Sequence, residues 1–316
     1  MKKYNILLCF FCVAFALHAQ DLRERNYYYE ILEPGHEAKP KIEGRVESRV
    51  TEYLDRGLTA AVTKDDNGLY INWRLLKSEN GNISFNLYRT VDGKTKRLNS
   101  SPISKTTGFT DTNPVSGKAT YFVKPVIKRK EQEASGSLEV DFSTINKSNY
   151  YSVPLNDKSA KAGKVAVADL NGDGIYDYIV RTPSTNTDPG FQKGDTLGRT
   201  YKIEAYLHDG TFLWSYDMGQ GIEPGVWYSP FVAFDFNGDG KAEIALKTAP
   251  DTIKRDKNGH VGYGEEYLTI LDGMTGKKIA QVDWPERNDR YGNLNRQNRN
   301  QIGVAYLDGK TPYILA

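Results

Sequence analysis

A sixteen-residue string occurs twice in this chain. Val165-Ala-Val-Ala-Asp169-Leu-Asn171-Gly-Asp173-Gly174-Ile-Tyr-Asp177-Tyr-Ile-Val180 returns as Phe231-Val-Ala-Phe-Asp235-Phe-Asn237-Gly-Asp239-Gly240-Lys-Ala-Glu243-Ile-Ala-Leu246, displaced by 66 residues. An eroded third copy, Ile302-Gly-Val-Ala-Tyr-Leu-Asp308-Gly309, follows near the end. Between the copies, Ala205-Tyr-Leu-His-Asp209-Gly210 recurs as Tyr267-Leu-Thr-Ile-Leu-Asp272-Gly273. Short apolar strands joined by Asp-Gly turns at this period are the pattern of a β-propeller blade, and a closed ring needs roughly four to eight blades. Residues 151–316 hold about two and a half periods of 66. The expectation is an incomplete propeller in the N-terminal part of a longer protein, with the sequence stopping inside the apolar run Tyr313 to Ala316.

The repeated turn is itself chemical. Asp169, Asn171, Asp173 and Asp177 stand at positions 1, 3, 5 and 9 of a loop whose sixth residue, Gly174, permits a sharp bend, with the carbonyl of Ile175 at position 7. That spacing points several oxygens at one centre and matches the first part of a calcium loop. The second copy offers Asp235, Asn237, Asp239, the carbonyl of Lys241 and Glu243. Position 12 is Val180 or Leu246, so the bidentate Glu of an EF-hand is missing and the loops are expected between strands. Metal-free Asn-Gly-Asp-Gly hairpin turns are the plain alternative. Retention of the oxygen set in both copies favours calcium.

Ahead of the repeats, residues 51–145 show short alternating strand patterns. Leu69, Ile71, Trp73 and Leu75 alternate on one face, and Phe85 and Leu87 precede an Asp92-Gly93 turn. About seven such strands predict a sandwich, and an early Trp with Tyr121-Phe-Val123 late in the unit resembles a fibronectin type III module. With 21 Tyr, 29 Gly, 39% hydrophobic and 26% charged residues, the composition suits a water-soluble all-β chain.

Met1-Lys2-Lys3, the apolar run from Ile6 to Leu17 and then Ala19-Gln20 read as a secretory signal over residues 1–20, with export to the periplasm or exterior expected. Residues 21–50 are a polar, charged extension. Both cysteines, Cys9 and Cys12, fall in the leader, which excludes disulfides, thiol nucleophiles and thiolate zinc sites from the remainder. Without Lys2 and Lys3, the 42 basic residues become 40 against 40 acidic ones. A neutral chain gives no support to non-specific nucleic-acid or membrane binding.

Familiar catalytic signatures are missing. No Gly-x-Ser-x-Gly elbow occurs, and Gly219-Gln-Gly221-Ile-Glu-Pro-Gly225 has no helical pattern after it and reads as a connection between blades. His36, His208 and His260 are scattered and are expected to be solvated loop residues. The Asn- and Arg-rich stretch from Pro285 to Gln301 is ordinary exposed surface or a grip for carboxylates and hydroxyls.

Taken in order, Tyr53-Leu-Asp-Arg-Gly57, Asn72-Trp73-Arg74, Asp235 to Glu243, Lys247-Thr-Ala, Glu266-Tyr-Leu-Thr, Tyr291-Gly-Asn293 and Val304 to Gly309 resemble the rhamnogalacturonan lyases of polysaccharide lyase family eleven. The resemblance spans about residues 51–316. It implies a fibronectin-like domain followed at about residue 150 by an eight-bladed propeller with structural calcium. The implied activity is cleavage of the rhamnogalacturonan I backbone of pectin by β-elimination, with the base beyond residue 316. Asn186, Asp188, Tyr228, Lys247, Asp251 and Asn293 are the expected substrate-binding residues. One departure stands out, since Trp227 replaces a His that is frequent in the family. The competing reading is a non-catalytic calcium-dependent binding propeller like the integrin α-type repeats, which have similar loops without the flanking motifs.

Overall fold

The computed structural model describes residues 50–316 except 77–78, 80, 148–149, 185–196, 224, 226, 262–263 and 286–297. Its first part contains β1 (Thr59–Val62), β2 (Leu69–Asn72), β3 (Ile83–Val91), β4 (Lys94–Arg97), β5 (Gly108–Asp111), β6 (Lys118–Ile127), β7 (Lys130–Glu131) and β8 (Leu138–Asp141). Strands β1-β2-β5 form one antiparallel sheet, and β4-β3-β6-β7 form the other, with β8 also on β6. Alternation explains the packing: Leu69 and Ile71 of β2 are buried between exposed Tyr70 and Asn72, and they share a core with Phe85, Leu87, Tyr121 and Val123 of the facing sheet. Asp92 and Gly93, at φ 48° and 74°, make the β3–β4 turn in the left-handed geometry that a tight hairpin requires.

Leu75 departs from the sequence expectation. The strand ends at Asn72, and Leu75 is exposed. Pairing of the Trp73 amide with Thr107 O and of the Arg74 amide with Arg56 O redirects the chain there. The alternation that buries Trp73 goes no further.

Residues Ser48–Ala316 belong to one compact unit. Its second part is made of meanders in which each strand pairs with the next. The first runs β9 (Lys164–Ala168), β10 (Asp177–Thr182), β11 (Lys202–Tyr206), β12 (Phe212–Asp217). The second runs β13 (Phe231–Phe234), β14 (Glu243–Thr248), β15 (Tyr267–Leu271), β16 (Lys278–Asp283), and the pair β17 (Gly303–Ala305) and β18 (Tyr313–Leu315) follows. The repeat extends to irregularities, for the register shifts at Ala205/Tyr206 in one meander and at Ile270/Leu271 in the next.

One core serves both meanders, with Leu170, Ile179 and Ile203 packed among the same cluster as Ile244, Leu246 and Leu271. Polar stitches fix the pair: Ala242 N donates to Asp169 O at 2.8 Å, Ala249 N to Met218 O at 2.9 Å, and Trp214 Nε1 to Gly273 O at 2.9 Å. Gly273 has no Cβ because one would overlap the carbonyl of Ala242.

In the sandwich, Asp111 holds the two sheets together. Its Oδ2 accepts from Tyr121 at 2.9 Å and from Arg89 at 2.5 Å, and it is 5% exposed. Asp111→Ala strands a guanidinium and is expected to cost about 3–5 kcal/mol, whereas Tyr121→Phe loses one hydrogen bond to a charged group, about 1.5–3 kcal/mol. Urea unfolding followed by Trp fluorescence checks the ranking. Equal losses would remove the bridging role of Asp111.

Candidate functional site

The strands of each meander run between two chemically different ends. In the first, β9 leads into the acidic turn and β10 returns from Asp177 to Thr182. The far end carries Lys164, Thr182 and the entry to β11. At about 3.3 Å per residue, β10 separates the two ends by roughly 17 Å.

At the acidic end, Asp169 is buried and its carboxylate accepts the amides of Gly172, Asp173 and Gly174 at 2.7, 3.2 and 2.7 Å. Asp235 repeats this with Gly238, Asp239 and Gly240 at 2.6, 3.2 and 2.9 Å. The bend needs φ of +84° at Gly174 and +88° at Gly240, which glycine alone adopts without strain. Asn171 and Asn237 each bridge to the next Asp, and the amides of Ile175 and Lys241 donate to Asp173 and Asp239. Asp177 accepts from Leu170 N and His208 N, and Glu243 from Phe236 N and the Asn237 amide.

Burial pushes the Asp177 carboxyl up, its bonds to the Leu170 and His208 amides pull it down, and the charges of Asp173 and Asp169 push it up again. Glu243 is raised in the same manner, with Asp239 and Asp235 as the charged neighbours. Among the described residues, no three His, Cys, Asp or Glu side chains make a metal cage by themselves. The first-position carboxylates are turned onto their own loop amides. Oδ1 of each accepts two amides, while Oδ2 accepts one and keeps a further lone pair, and the sets include Asn oxygens and peptide carbonyls. Oxygen-only donors crowded with like charge fit calcium in kind.

A third element reaches these turns. Asp55 N donates to Gly174 O at 3.2 Å, and Arg74 Nη1 donates to the same oxygen at 3.1 Å. Burial first, then the charges of Asp169 and Asp235, raise Glu52. Asp55 is raised by burial, with Asp173 and Asp169 adding to it against the pull of the Gly57 amide and Arg74.

The opposite end holds the described members of the expected sugar-binding set. Lys247 is fully buried, and its Nζ bonds Glu266 at 2.9 Å and Asn300 at 2.8 Å, lying 5.2 Å from the Trp284 ring centroid. Tyr228 is also fully buried, with its amide on Gly225 O. Asp251 is exposed and lines a groove of about 410 Å³ with Gln220, Lys254 and Arg255. Trp227 is 44% exposed, and the Arg299 guanidinium lies 4.9 Å from its ring centroid. Asn186, Asp188 and Asn293 lie outside the described residues.

One histidine read as solvated is not, while His208 keeps 40% of its side chain exposed. His260 Nδ1 lies 2.8 Å from Glu223 Oε1, and Glu223 is buried and also accepts the Val261 amide. Arg255 donates to Gln220 O and Ile222 O, so the loop around 255–261 clamps the connection after β12. His208 Nδ1 is buried without a hydrogen bond, 3.7 Å from Asp173 and 3.8 Å from Asp177. No local spacing marks Glu223 and His260, which are 37 residues apart. Only the Asp256-Lys-Asn-Gly259 turn that presents His260 was visible.

A sandwich followed by repeated four-stranded meanders with acidic turns defines the class: an all-β protein of the repeat-built kind. Comparison with known proteins makes it specific. The chain belongs to rhamnogalacturonan lyase family 11, whose C-terminal domain model matches residues 152–316, while the rhamnogalacturonan I lyases β-sheet domain matches residues 49–141. It is 37% identical over 300 residues to the rhamnogalacturonan endolyase YesW and 35% identical over 298 residues to the rhamnogalacturonan exolyase YesX, both of Bacillus subtilis (strain 168). These matches cover 85% and 84% of this chain, and the chain spans 46% of the length of each relative. The crystal structure of YesX superposes with a TM-score of 0.71 at 34% identity, covering 84% of this chain and 47% of that one.

Lys247 and Glu266 make a buried ion pair. Lys247→Ala removes the cation paired with the buried Glu266 carboxylate and is expected to cost about 3–5 kcal/mol, while Lys247→Met combined with Glu266→Leu recovers most of that loss. Thermal melts of the two variants distinguish this from a surface lysine, whose loss would move stability by less than about 0.5 kcal/mol.

Proposed function

We propose that this chain is part of a secreted pectin-degrading lyase that cleaves the rhamnogalacturonan I backbone by β-elimination, on a sandwich joined to an eight-bladed, calcium-bearing propeller. The observation that carries this reading is the family match over both parts of the chain, in the same order as in named endo- and exolyases. The paired meanders, with a common core and a repeated bulge, support the propeller.

In such a reaction the C5 proton of a galacturonate is removed, the C4–O bond breaks, and the leaving oxygen takes a proton. The new chain end is a 4,5-unsaturated uronate. The proton becomes acidic only when charge on the adjacent carboxylate is neutralised, which is what a bound calcium supplies when it sits there. In this chain, Asp169, Asn171, Asp173, Ile175 and Asp177, and likewise Asp235, Asn237, Asp239, Lys241 and Glu243, would hold calcium at the end of the strands away from the proposed sugar-binding residues. A role in holding the turns and the linker fits that position better than a role at C5.

At the other end, Trp227 offers a ring face on which a sugar can stack, beside the Arg299 cation. Asp251, with Lys254 and Arg255 on the same groove, offers an acceptor and donors for sugar hydroxyls.

Two measurements test the reading on the full-length protein. With rhamnogalacturonan I as substrate, new non-reducing ends should absorb in the ultraviolet from the double bond conjugated to the carboxylate. Saturated galacturonate ends, or attack on homogalacturonan alone, would overturn it. For the metal, saturating calcium at a hundredfold its dissociation constant stabilises by about 2.7 kcal/mol per site. A chelator is therefore expected to lower the melting midpoint by roughly 5–10 °C, and an unchanged midpoint would remove calcium from the turns.

A further inference from the structure

The two meanders are equivalent strand by strand, yet at the end away from the acidic turns they carry different charge. Lys164 pairs in register with Arg181, across β9 and β10. Sixty-six residues on, the matching positions are Pro230, whose carbonyl accepts the Lys247 amide, and Lys247 itself. Tyr201 in the first meander corresponds to Glu266 in the second, since Met218 N donates to Tyr201 O as Trp284 N donates to Glu266 O. The second meander thus buries one cation against one carboxylate. The first sets two cations side by side, and no carboxylate of a described residue pairs with either.

The first arrangement is held in place. Arg181 is fully buried, its Nη1 donates to Ser229 Oγ at 2.7 Å, and its guanidinium carbon lies 4.2 Å from the Tyr201 ring centroid. Its Nε is buried and has no hydrogen bond. Gly163 makes room, because a Cβ there would overlap the guanidinium. Lys164 is half-buried, and among the described residues its Nζ reaches only Ser229 O, at 3.5 Å. Burying a cation without a counter-ion is costly, and placing a second one beside it adds repulsion. Both costs fall when an anion binds at the half-buried ammonium.

We propose that Lys164, backed by Arg181 and positioned by Ser229, is a binding site for a sugar carboxylate, so that one uronate of the substrate docks at the first meander. This rests on the lyase reading and deepens it by naming where an acidic sugar is gripped. Lys164 makes the contact, and Arg181, out of reach of a ligand, supplies positive potential from behind. Burial first, and then the Arg181 charge, lower the Lys164 ammonium to about 8. An arriving carboxylate acts in the opposite direction and holds the proton on. The second meander has no such site because Glu266 already neutralises Lys247.

The test is calorimetric binding to the full-length protein of an acidic rhamnogalacturonan oligosaccharide and of the same oligosaccharide with its uronate carboxyls reduced to alcohols. Lys164→Met is expected to weaken the acidic ligand about tenfold or more, as for loss of a hydrogen bond to a charged group. The reduced ligand should be unaffected, and Lys164→Arg should keep most of the affinity. Tyr201→Glu, which installs the acid of the second meander, should weaken the acidic ligand selectively while both cations remain, with melting curves checking that the variant is folded. Equal loss for both ligands, or no loss in Lys164→Met, would overturn the site while leaving the lyase reading intact. Failure of the wild-type protein to bind either oligosaccharide would overturn both.

Discussion

The carbonyl of Gly174 is a junction on which much of the molecule depends. It accepts both the Asp55 amide and the Arg74 guanidinium, so the sandwich and the first repeat meet at one oxygen of one acidic turn. The same extended segment continues over the other turns: Val50 packs on Gly238, donates to Lys310 O and accepts from Tyr306. One strand of linker therefore touches all three copies of the repeat. It brings Glu52 and Asp55 among carboxylates that already repel one another, and burial with that repulsion raises both. Attraction between backbone and Arg74 opposes repulsion among side chains, so the charge state of the turns bears directly on how the two parts of the chain are joined.

This arrangement assigns the two ends of the strands different work. The acidic end is committed to connection: amides, linker and neighbouring repeat all converge there. The other end also joins neighbouring meanders, through Ala249 on Met218 and Arg255 on Gln220 and Ile222, but its loops contain the exposed Trp227 and the groove beside Asp251. A strand of six residues keeps the ends apart, so substitutions at the proposed sugar-binding end need not disturb the turns. Loops that vary on a fixed scaffold are where binding residues concentrate.

How much of this was legible in the sequence follows from the range of each interaction. The acidic turns were legible because the amides bound by the Asp169 and Asp235 carboxylates lie within five residues. The alternation of Leu69, Ile71 and Trp73 was legible for the same reason, since period two reports directly on one buried face. Leu75 was misread because the strand is ended by Thr107 and Arg56, far away in sequence. Lys247 reads from the sequence as a substrate-binding residue, and its buried bonds to Glu266, 19 positions on, and Asn300, 53 positions on, have no sign there. His260 likewise found Glu223 only through folding. Long-range polar pairs carry no local pattern, which is why the fold was more readable than the candidate site.

The repeat also separates what packing demands from what it leaves open. Buried strand positions such as Ile179 and Ala245 stay apolar in both copies, and the acidic turn keeps its oxygens even where Asp177 becomes Glu243. Divergence falls at the opposite end, where Lys164, Arg181 and Tyr201 face Pro230, Lys247 and Glu266. Each copy must solve the same problem, a buried cation at the top of its second strand. Glu266 solves it within the chain for Lys247, whereas the ring of Tyr201 gives Arg181 a polarisable face but no full negative charge. A residual positive charge beside a half-buried ammonium is a property that one repeat can acquire without altering the strands that support it.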